Sequence, residues 1–337
     1  MKILNIYNNV TNTSIPYELE KYMEVNHKSD CFSNVSVGNA QELLFNFIYL
    51  YRLINEHDVI HTHHTFSSIV ISLYRIFFLN RKKMFICTVH RNYRSAGLKT
   101  FLIFTLFVLP FRDIIICNSY STKASLPRFI HRFFSNKIKV IYNGINLSKT
   151  TAFVNTPKHR VNLISVGRLV ADKDQITLIN MCDYLYKKNI DFHLYICGGG
   201  PLENMLTNEI TRRGLCDSIT LTGNLSRFDV YKKLTEASIY ISCSKTEGFG
   251  NSTIEAMSSG CLVVVSDIPV HREIIKNRDF LFTTGNYIDL ANKIIKLKSS
   301  EFMFNNEANA CIARSQIYSI NKTANAYYSV YREFFYE

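Results

Sequence analysis

The segment Glu247-Gly-Phe-Gly-Asn-Ser-Thr-Ile-Glu255 sets two carboxylates around a glycine-punctuated turn and what reads as the opening of a helix. Asn251 and Ser252 are N-cap residue types, Thr253 to Ser259 then run as a short helix, and Gly260 stops it. A glycine turn feeding a helix start presents backbone N–H groups and the positive end of a dipole, which suits a phosphate. Ionised carboxylates accept several O–H donors, so acids flanking the turn suit sugar hydroxyls. The spacing therefore suggests a site for a sugar attached to a phosphate. Acids near a helix start also favour the helix itself, and spacing alone leaves that reading open.

Further along the same half, Gly167-Arg168 ends a strand pattern and Lys173 follows five residues after the arginine. A guanidinium and an ammonium at a strand end can neutralise a diphosphate, or they can be solvated surface charges. Asp172-Lys-Asp174 has the form of a magnesium pair, but its position between the cations fits an ordered loop better. Cys197-Gly198-Gly199-Gly200-Pro201 lies between a strand and a helix, where glycine allows close backbone approach and proline starts the helix. It is not the G-x-G-x-x-G fingerprint. The first strand leads into Asn8-Asn-Val-Thr-Asn-Thr13 with no glycine, which disfavours a dehydrogenase. His61, His63 and His64 end one strand pattern, and His90-Arg91 end another. Most such histidines are structural. His90 is the candidate for a sugar hydroxyl, as a neutral imidazole at a strand end.

These groups need a scaffold of strand ends, and the chain is long enough for two. Its 337 residues, 47% hydrophobic and 20% charged, are those of folded domains, two by length. Residues 1–150 hold 18 Lys+Arg against 8 Asp+Glu, whereas the remainder holds 21 against 19, so the net charge of +12 sits mostly in the front half. Such a half could face nucleic acid, an anionic membrane or an anionic substrate. No zinc-finger or RNP-like spacing and no basic helix interleaved with stacking aromatics is present, which disfavours nucleic acid. The cations instead flank apolar runs, Ile76-Phe-Phe-Leu79 and Phe101 to Phe111. The second run, about 16 Å as a helix, is too short to span a hydrocarbon core of about 30 Å. It is either a buried helix of the first domain or an interfacial contact with anionic lipid. The nine cysteines are scattered singly with no C-x-x-C, which suggests neither zinc nor disulfides and fits a reducing cytosol. Met1 to Tyr7 reads as a strand and not as a signal peptide.

Short Ile/Val/Phe runs alternate with longer amphipathic segments throughout, which predicts stacked βαβ units. Strands are expected at 2–7, 35–37, 59–61, 84–89, 113–117 and 139–141, then at 162–166, 191–197, 218–221, 238–242, 262–266 and 280–282. Helices are expected at 40–55, 67–78, 122–129, 301–314 and 321–334, among others. Residues 146–160 are polar without periodicity and read as a linker. Two doubly wound domains would bind ligand at the carboxyl ends of their sheets.

Together these segments resemble the retaining glycosyltransferases of family 4, which have the GT-B architecture. The resemblance covers most of the chain and rests on Val166-Gly-Arg-Leu169 with Lys173, Gly198-Gly-Gly-Pro201, Thr222-Gly223, and Glu247-Gly-Phe-Gly250 through Glu255-Ala-Met257 and Gly260. Asp58-Val-Ile-His-Thr-His63, Thr88-Val-His90, Asn118-Ser119 and Ile141-Tyr-Asn-Gly144 add to it in the first half. It implies an α/β fold of two doubly wound Rossmann-like domains facing across a cleft. Residues 1–145 would bind acceptor, 161–318 would bind the nucleotide sugar, and 319–337 would form a helix packing back on the first domain. Arg168 and Lys173 would bind the donor diphosphate, Glu255 the ribose, Glu247 the donor-sugar hydroxyls, and His90 a hydroxyl near C6. Gly248, Phe249, Gly250, Asn251 and Ser252, with Gly198, Gly199, Thr222 and Gly223, would complete the donor site. Asn8 to Ser14 stands where the family usually has a Gly-Gly loop, which departs from its pattern.

The function implied is retaining transfer of a hexose or N-acetylhexosamine from a UDP- or GDP-sugar to a lipid-linked or oligosaccharide acceptor in polysaccharide biosynthesis. It would need no cofactor beyond the donor substrate, no metal and no nucleic acid. The expected location is the cytoplasmic face of the plasma or inner membrane, in peripheral contact with anionic lipid. A sugar-nucleotide epimerase on the same scaffold and a non-catalytic glycan- or lipid-binding module are the alternatives.

Overall fold

The computed structural model describes residues 1–7, 19, 21–23, 31–36, 47–78, 83–93, 97–147, 150, 152–156 and 159–336. The chain divides into two compact units, Met1–Gly144 with Ile320–Glu337, and Ile145–Ser319. The second takes in the residues read above as a linker: Phe153 N–H donates to Ser259 O at 3.3 Å, and the Asn155 amide donates to Glu236 O at 2.6 Å. Asn8 to Ser14 and the first part, 40–46, of the helix expected at 40–55 lie outside the described residues; the rest is the helix Phe47–Glu56.

The first unit is built on six parallel strands: β1 Lys2–Tyr7, β2 Cys31–Ser36, β3 Val59–Thr62, β4 Met84–Val89, β5 Ile114–Cys117 and β6 Ile138–Val140. Their order is β2-β1-β3-β4-β5-β6, so the winding reverses between β1 and β3. Alternation along each strand divides the core between two faces. Leu4, Ile6, Ile60 and Phe85 pack under the helices Phe47–Glu56 and Thr65–Phe78. Ile3, Val59, Ile86, Ile114 and Ile116 pack under the last helix, Ile320–Tyr336. Burying each such side chain contributes roughly 1.5–3 kcal/mol. The last helix is also tied by polar contacts. His61 is fully buried, with Nδ1 at 2.7 Å from Tyr331 Oη and Nε2 at 2.7 Å from Thr88 Oγ1, which is 3.2 Å from Tyr327 Oη. Its helix start lies so close to Gly144 that a Cβ there would be 2.6 Å from Ile320 Cα.

The second unit has β7 Val161–Val166, β8 Phe192–Cys197, β9 Ile219–Gly223, β10 Ile239–Ser242, β11 Leu262–Ser266 and β12 Leu281–Phe282. All are parallel, in the order β12-β11-β10-β7-β8-β9. The chain runs outward from β7 to β9, returns to β10 beside β7, and runs outward the other way. The reversal between β7 and β10 leaves a crevice at their carboxyl ends, which is where such sheets bind ligands.

Four local expectations need correction. The helix N-cap before the second carboxylate is Gly250, not Asn251 or Ser252; at φ 85° and ψ 47° it takes a left-handed turn that favours glycine, and the helix Asn251–Ser258 begins two residues earlier than read. The helix expected at 122–129 is two helices, Tyr120–Ser125 and Arg128–Phe134. Ser119 Oγ accepts from Thr122 N at 2.9 Å and starts the first, while Pro127 lacks an N–H and holds Leu126 extended, ending it. The strand expected at 35–37 is β2, which begins at Cys31. The helix after Gly200 starts at Glu203, with Pro201 in the preceding turn.

The apolar run at 101–111 is a short α-helix, Leu98–Ile103, a π turn, Phe104–Val108, and a 3-10 turn, Leu109–Phe111, at Pro110. Phe104, Val108 and Leu109 are buried, and Leu102, Leu106 and Phe107 are exposed.

Candidate functional site

At the carboxyl end of β7 the chain turns through Gly167 and Arg168, and three glycines after β8 let a second loop lie against it. A Cβ on Gly198, at φ +136°, would sit 2.1 Å from Gly167 O, and one on Gly200 would sit 2.5 Å from Leu169 O. Gly167 N donates to Cys197 O at 2.9 Å, and Leu169 N to Gly199 O at 3.0 Å. The close neighbour that Gly198 and Gly200 accommodate is thus this chain's own backbone. Gly199 N donates to Asn224 Oδ1 at 2.9 Å, which ties in the loop after β9. At the end of β9, Gly223 O accepts from Gly198 N at 2.9 Å, and Thr222 Oγ1 donates to Gly223 O at 3.1 Å.

This bracing fixes the backbone of Arg168, whose carbonyl accepts from Gln175 Nε2 at 2.9 Å. Its guanidinium is exposed and has no ion-pair partner among the described residues. Lys173 closes the 3-10 turn Ala171–Lys173. Its stem passes over Gly167, where a Cβ would meet Lys173 Cε at 3.4 Å, and its ammonium pairs with Glu247 Oε1. The Ser244 hydroxyl donates to the same oxygen at 2.8 Å. The β7 and β10 loops are joined again by Lys245 N donating to Asp172 O at 2.8 Å. Asp174, left-handed at φ 50°, accepts from Thr177 Oγ1 at 2.9 Å and lies 3.6 Å from Lys245 Nζ. Asp172 thus ties the loop through its backbone carbonyl and Asp174 through its carboxylate.

The turn 248–250 carries the chain from Glu247 into the helix Asn251–Ser258. Phe249 is buried, its ring edge-on to Tyr318 at 5.6 Å, so only its backbone is available to a ligand. Ser252 Oγ lies 2.8 Å from Tyr240 Oη, and burial pushes the Tyr240 phenol up, so it stays protonated. Glu255, one helical turn on and largely buried, accepts from Arg227 Nη2 at 2.5 Å and from Tyr231 Oη at 3.4 Å. A ribose on Glu255 would share its carboxylate with Arg227.

Sequence reasoning missed Arg227, Tyr231, Ser244 and His271. Arg227 and Tyr231 share a helix face at i, i+4, with the guanidinium 5.7 Å from the ring centroid, but nothing in the pattern tied them to residue 255. His271 is fully buried; its Nδ1 lies 2.8 Å from Ser266 O, which assigns the proton to Nδ1, and Nε2 has no partner among the described residues. Burial lowers its pKa and holds it neutral.

His90 belongs to the first unit, just past β4. Its Nε2 lies 3.3 Å from His63 Nδ1, and the two rings stack at 5.6 Å. Burial, with a lesser push from His64, lowers its pKa to about 4, and His63 is likewise held well below the usual range. A neutral imidazole is what a hydroxyl contact needs. His61 has both ring nitrogens occupied by the last helix and Thr88.

The loops after β7 and β10 of the second unit thus carry Arg168, Lys173, Glu247 and the helix start at Asn251, and the Lys173–Glu247 pair joins the two loops. Two cations and a helix N-terminus suit a phosphate, and Glu247 Oε2, with no partner among the described residues, can accept a hydroxyl.

Comparison with known proteins gives the family and the fold. Residues 149–317 match the family model "Glycosyl transferases group 1", and residues 16–149 match "Glycosyltransferase Family 4". The chain is 28% identical over 167 residues to the O-antigen chain mannosyltransferase RfbU of Salmonella typhimurium, covering 48% of this chain and 44% of that protein. It is 30% identical over 183 residues to a Campylobacter jejuni enzyme, N-acetylgalactosamine-N,N'-diacetylbacillosaminyl-diphospho-undecaprenol 4-alpha-N-acetylgalactosaminyltransferase, covering 52% and 47%. The matches thus span under half of these relatives' lengths. Among solved structures, Anabaena HepE in complex with UDP and glucose aligns over 99% of this chain and 100% of its own, with a TM-score of 0.80 at 17% identity, which establishes the fold as GT-B. With both halves matched in order by family models, the chain belongs to the group 1 glycosyltransferases, with a family 4 amino-terminal half.

Proposed function

We propose that this protein transfers a hexose or N-acetylhexosamine from a UDP- or GDP-sugar to a hydroxyl of a lipid-linked or oligosaccharide acceptor in polysaccharide assembly, with retention at the anomeric carbon. The observation that supports the reading is that the loops after β7 and β10, which carry Arg168, Lys173, Glu247 and the helix start at Asn251, are joined by the Lys173–Glu247 pair at the reversal point of the second sheet. The relatives support it: RfbU is named for O-antigen mannosyl transfer, and the Campylobacter enzyme for transfer to a diphospho-undecaprenol acceptor. HepE was solved with UDP and glucose.

As the anomeric C–O bond lengthens, positive charge grows on the sugar and negative charge on the departing diphosphate. Arg168 and Lys173 offset the negative charge, and the dipole of the helix Asn251–Ser258 adds to it. Glu247 holds the sugar hydroxyls, and Glu255 holds the ribose. The acceptor oxygen attacks C1 from the face the diphosphate leaves, and its proton passes to the departing phosphate oxygen. His90 supplies a neutral contact to a sugar hydroxyl. The acceptor reaches the enzyme at an anionic membrane surface, with which the basic first unit makes peripheral contact.

The test is a thermal-shift panel of UDP- and GDP-sugars, followed by product analysis with and without acceptor. A donor that raises the melting temperature and is consumed only with acceptor, giving a product of unchanged anomeric configuration, supports the reading. Inversion in the product would remove retention. A nucleotide sugar altered without acceptor would make the protein an epimerase instead.

A further inference from the structure

Lys173 and Glu247 pair between the loops after β7 and β10, yet those loops are fastened without them. Lys245 N donates to Asp172 O at 2.8 Å, and within the first loop Lys173 N donates to Val170 O at 2.9 Å. On the other side the Ser266 hydroxyl donates to Ser244 O at 2.6 Å and anchors the chain just before Glu247. The ion pair is therefore not what holds the loops together. Its effect on a ligand is electrostatic.

The Lys173 side chain is 24% exposed and that of Glu247 13%, so water and salt screen the pair little. Ser244 Oγ donates to Glu247 Oε1 at 2.8 Å and lies 3.1 Å from Ser242 Oγ, which holds that oxygen beside the ammonium. Arg168 differs, because its exposed guanidinium has no ion-pair partner among the described residues. Of the two cations offered to a diphosphate, one is open and the other is already neutralised from within the chain. A diphosphate that draws on Lys173 competes with the Glu247 carboxylate and lies near its negative charge. In a half-buried site a unit charge at that range changes binding by about 10-fold or more. An intact nucleotide sugar offsets this repulsion, because its sugar hydroxyls donate to the carboxylate. A nucleoside diphosphate without the sugar meets the same repulsion and offers the carboxylate nothing.

We propose that the Lys173–Glu247 pair makes this site discriminate an intact nucleotide sugar from the nucleoside diphosphate left after transfer, with Glu247 as the discriminating residue. The donor engages both partners, the ammonium through phosphate and the carboxylate through sugar hydroxyls. Once the sugar has moved to the acceptor, the carboxylate competes again for the ammonium and speeds the diphosphate's departure. The inference rests on the nucleotide-sugar reading above and adds to it a role for Glu247 in product release, which sugar binding by itself does not require.

The test is calorimetric titration, without acceptor, of UDP or GDP and of the matching nucleotide sugar, whichever pair the thermal-shift panel selects. It uses wild type, Glu247→Gln, Glu247→Ala and Arg168→Ala, each checked for folding by circular dichroism. Glutamine keeps the shape of the side chain, and alanine removes any amide that could itself bind phosphate. Both Glu247 variants should bind the nucleoside diphosphate about 10-fold tighter than wild type does, while the nucleotide sugar gains nothing. Arg168→Ala should weaken both ligands in proportion and leave their ratio unchanged. Glu247 variants that weaken both ligands, as a loosened loop would, overturn the proposal, as do variants that bind the diphosphate no tighter. Equal tightening of both ligands removes the discrimination, and tightening by glutamine alone credits its amide; either result also overturns it. In all these cases nucleotide-sugar binding by wild type leaves the transferase reading standing. A panel that selects no nucleotide sugar sinks that reading and this inference together.

Discussion

Arg168 and Lys173 leave the same strand end yet stand in different electrostatic positions. The guanidinium is exposed, whereas the ammonium is held by Glu247 in a half-buried pair. Arg168→Ala should therefore lower turnover about 100-fold or more, roughly 3 kcal/mol of transition-state stabilisation, with an unchanged melting temperature. Lys173→Ala should lose as much activity and also destabilise the fold by about 1–3 kcal/mol, because the Glu247 carboxylate keeps its burial and loses its cation. Steady-state kinetics and thermal melts of the two variants check this, and wild-type-like turnover from a folded double variant would reject the role of both. Arg168, Lys173 and Glu247 were legible because their chemistry is marked by neighbouring glycines. Arg227 carried no such mark: it reaches Glu255 at 2.5 Å only because the helix Arg227–Glu236 packs beside the helix Asn251–Ser258.

At the scale of elements, strand ends and glycines decide what can meet. The loops after β7 and β8 touch only if residue 198 has no side chain and tolerates φ +136°. Gly198→Ala should push the two loops apart, lowering stability by at least ~2 kcal/mol and donor affinity with it; denaturant melts and donor titration measure both. A second element-level effect comes from the ends of β3 and β4. His61 is held near pKa 3 and His90 near 4 by burial, and His63 also lies well below the ordinary value of 6.5. A depressed folded pKa means the unfolded chain binds protons first as pH falls. The stability these neutral histidines confer is complete above about pH 6.5 and is lost progressively toward pH 3–4. Moving from pH 7 to pH 5 should cost about 2 kcal/mol for each histidine that stays neutral when folded. His61→Gln, measured by chemical denaturation across that range, should flatten the slope; an unchanged slope would show that His61 is not a source of it.

For the whole molecule, chain order and spatial order part company at the carboxyl end. The last helix belongs to the first unit although the second unit precedes it in sequence. Ending the chain after Ser319 removes Tyr327 and Tyr331 from His61 and Thr88, together with the apolar cover of Ile3, Val59 and Ile86. Calorimetry of that truncation should show the first unit's transition lowered by 10 °C or more or abolished, since removing several buried side chains costs about 2–5 kcal/mol each, while the second unit's transition stays put. Equal loss in both transitions would contradict the division of the core into two.

The alternation of apolar runs determined the two parallel sheets by itself, because a strand buried on both faces must be apolar at nearly every position. Glycine, cation and carboxylate spacing likewise determined the core of the candidate site, since a turn that feeds a helix start is a local property. Which residues cap, brace and neutralise that core was settled only in three dimensions. Gly250 displaced Asn251 as the cap because the turn needs a left-handed residue; Arg227 found Glu255 across two helices; Gly198 met the backbone of Gly167. The exposed side of the 98–107 segment was open for the same reason. An apolar residue in sequence says that it avoids water, while only the packed neighbours say whether the protein itself provides the shelter.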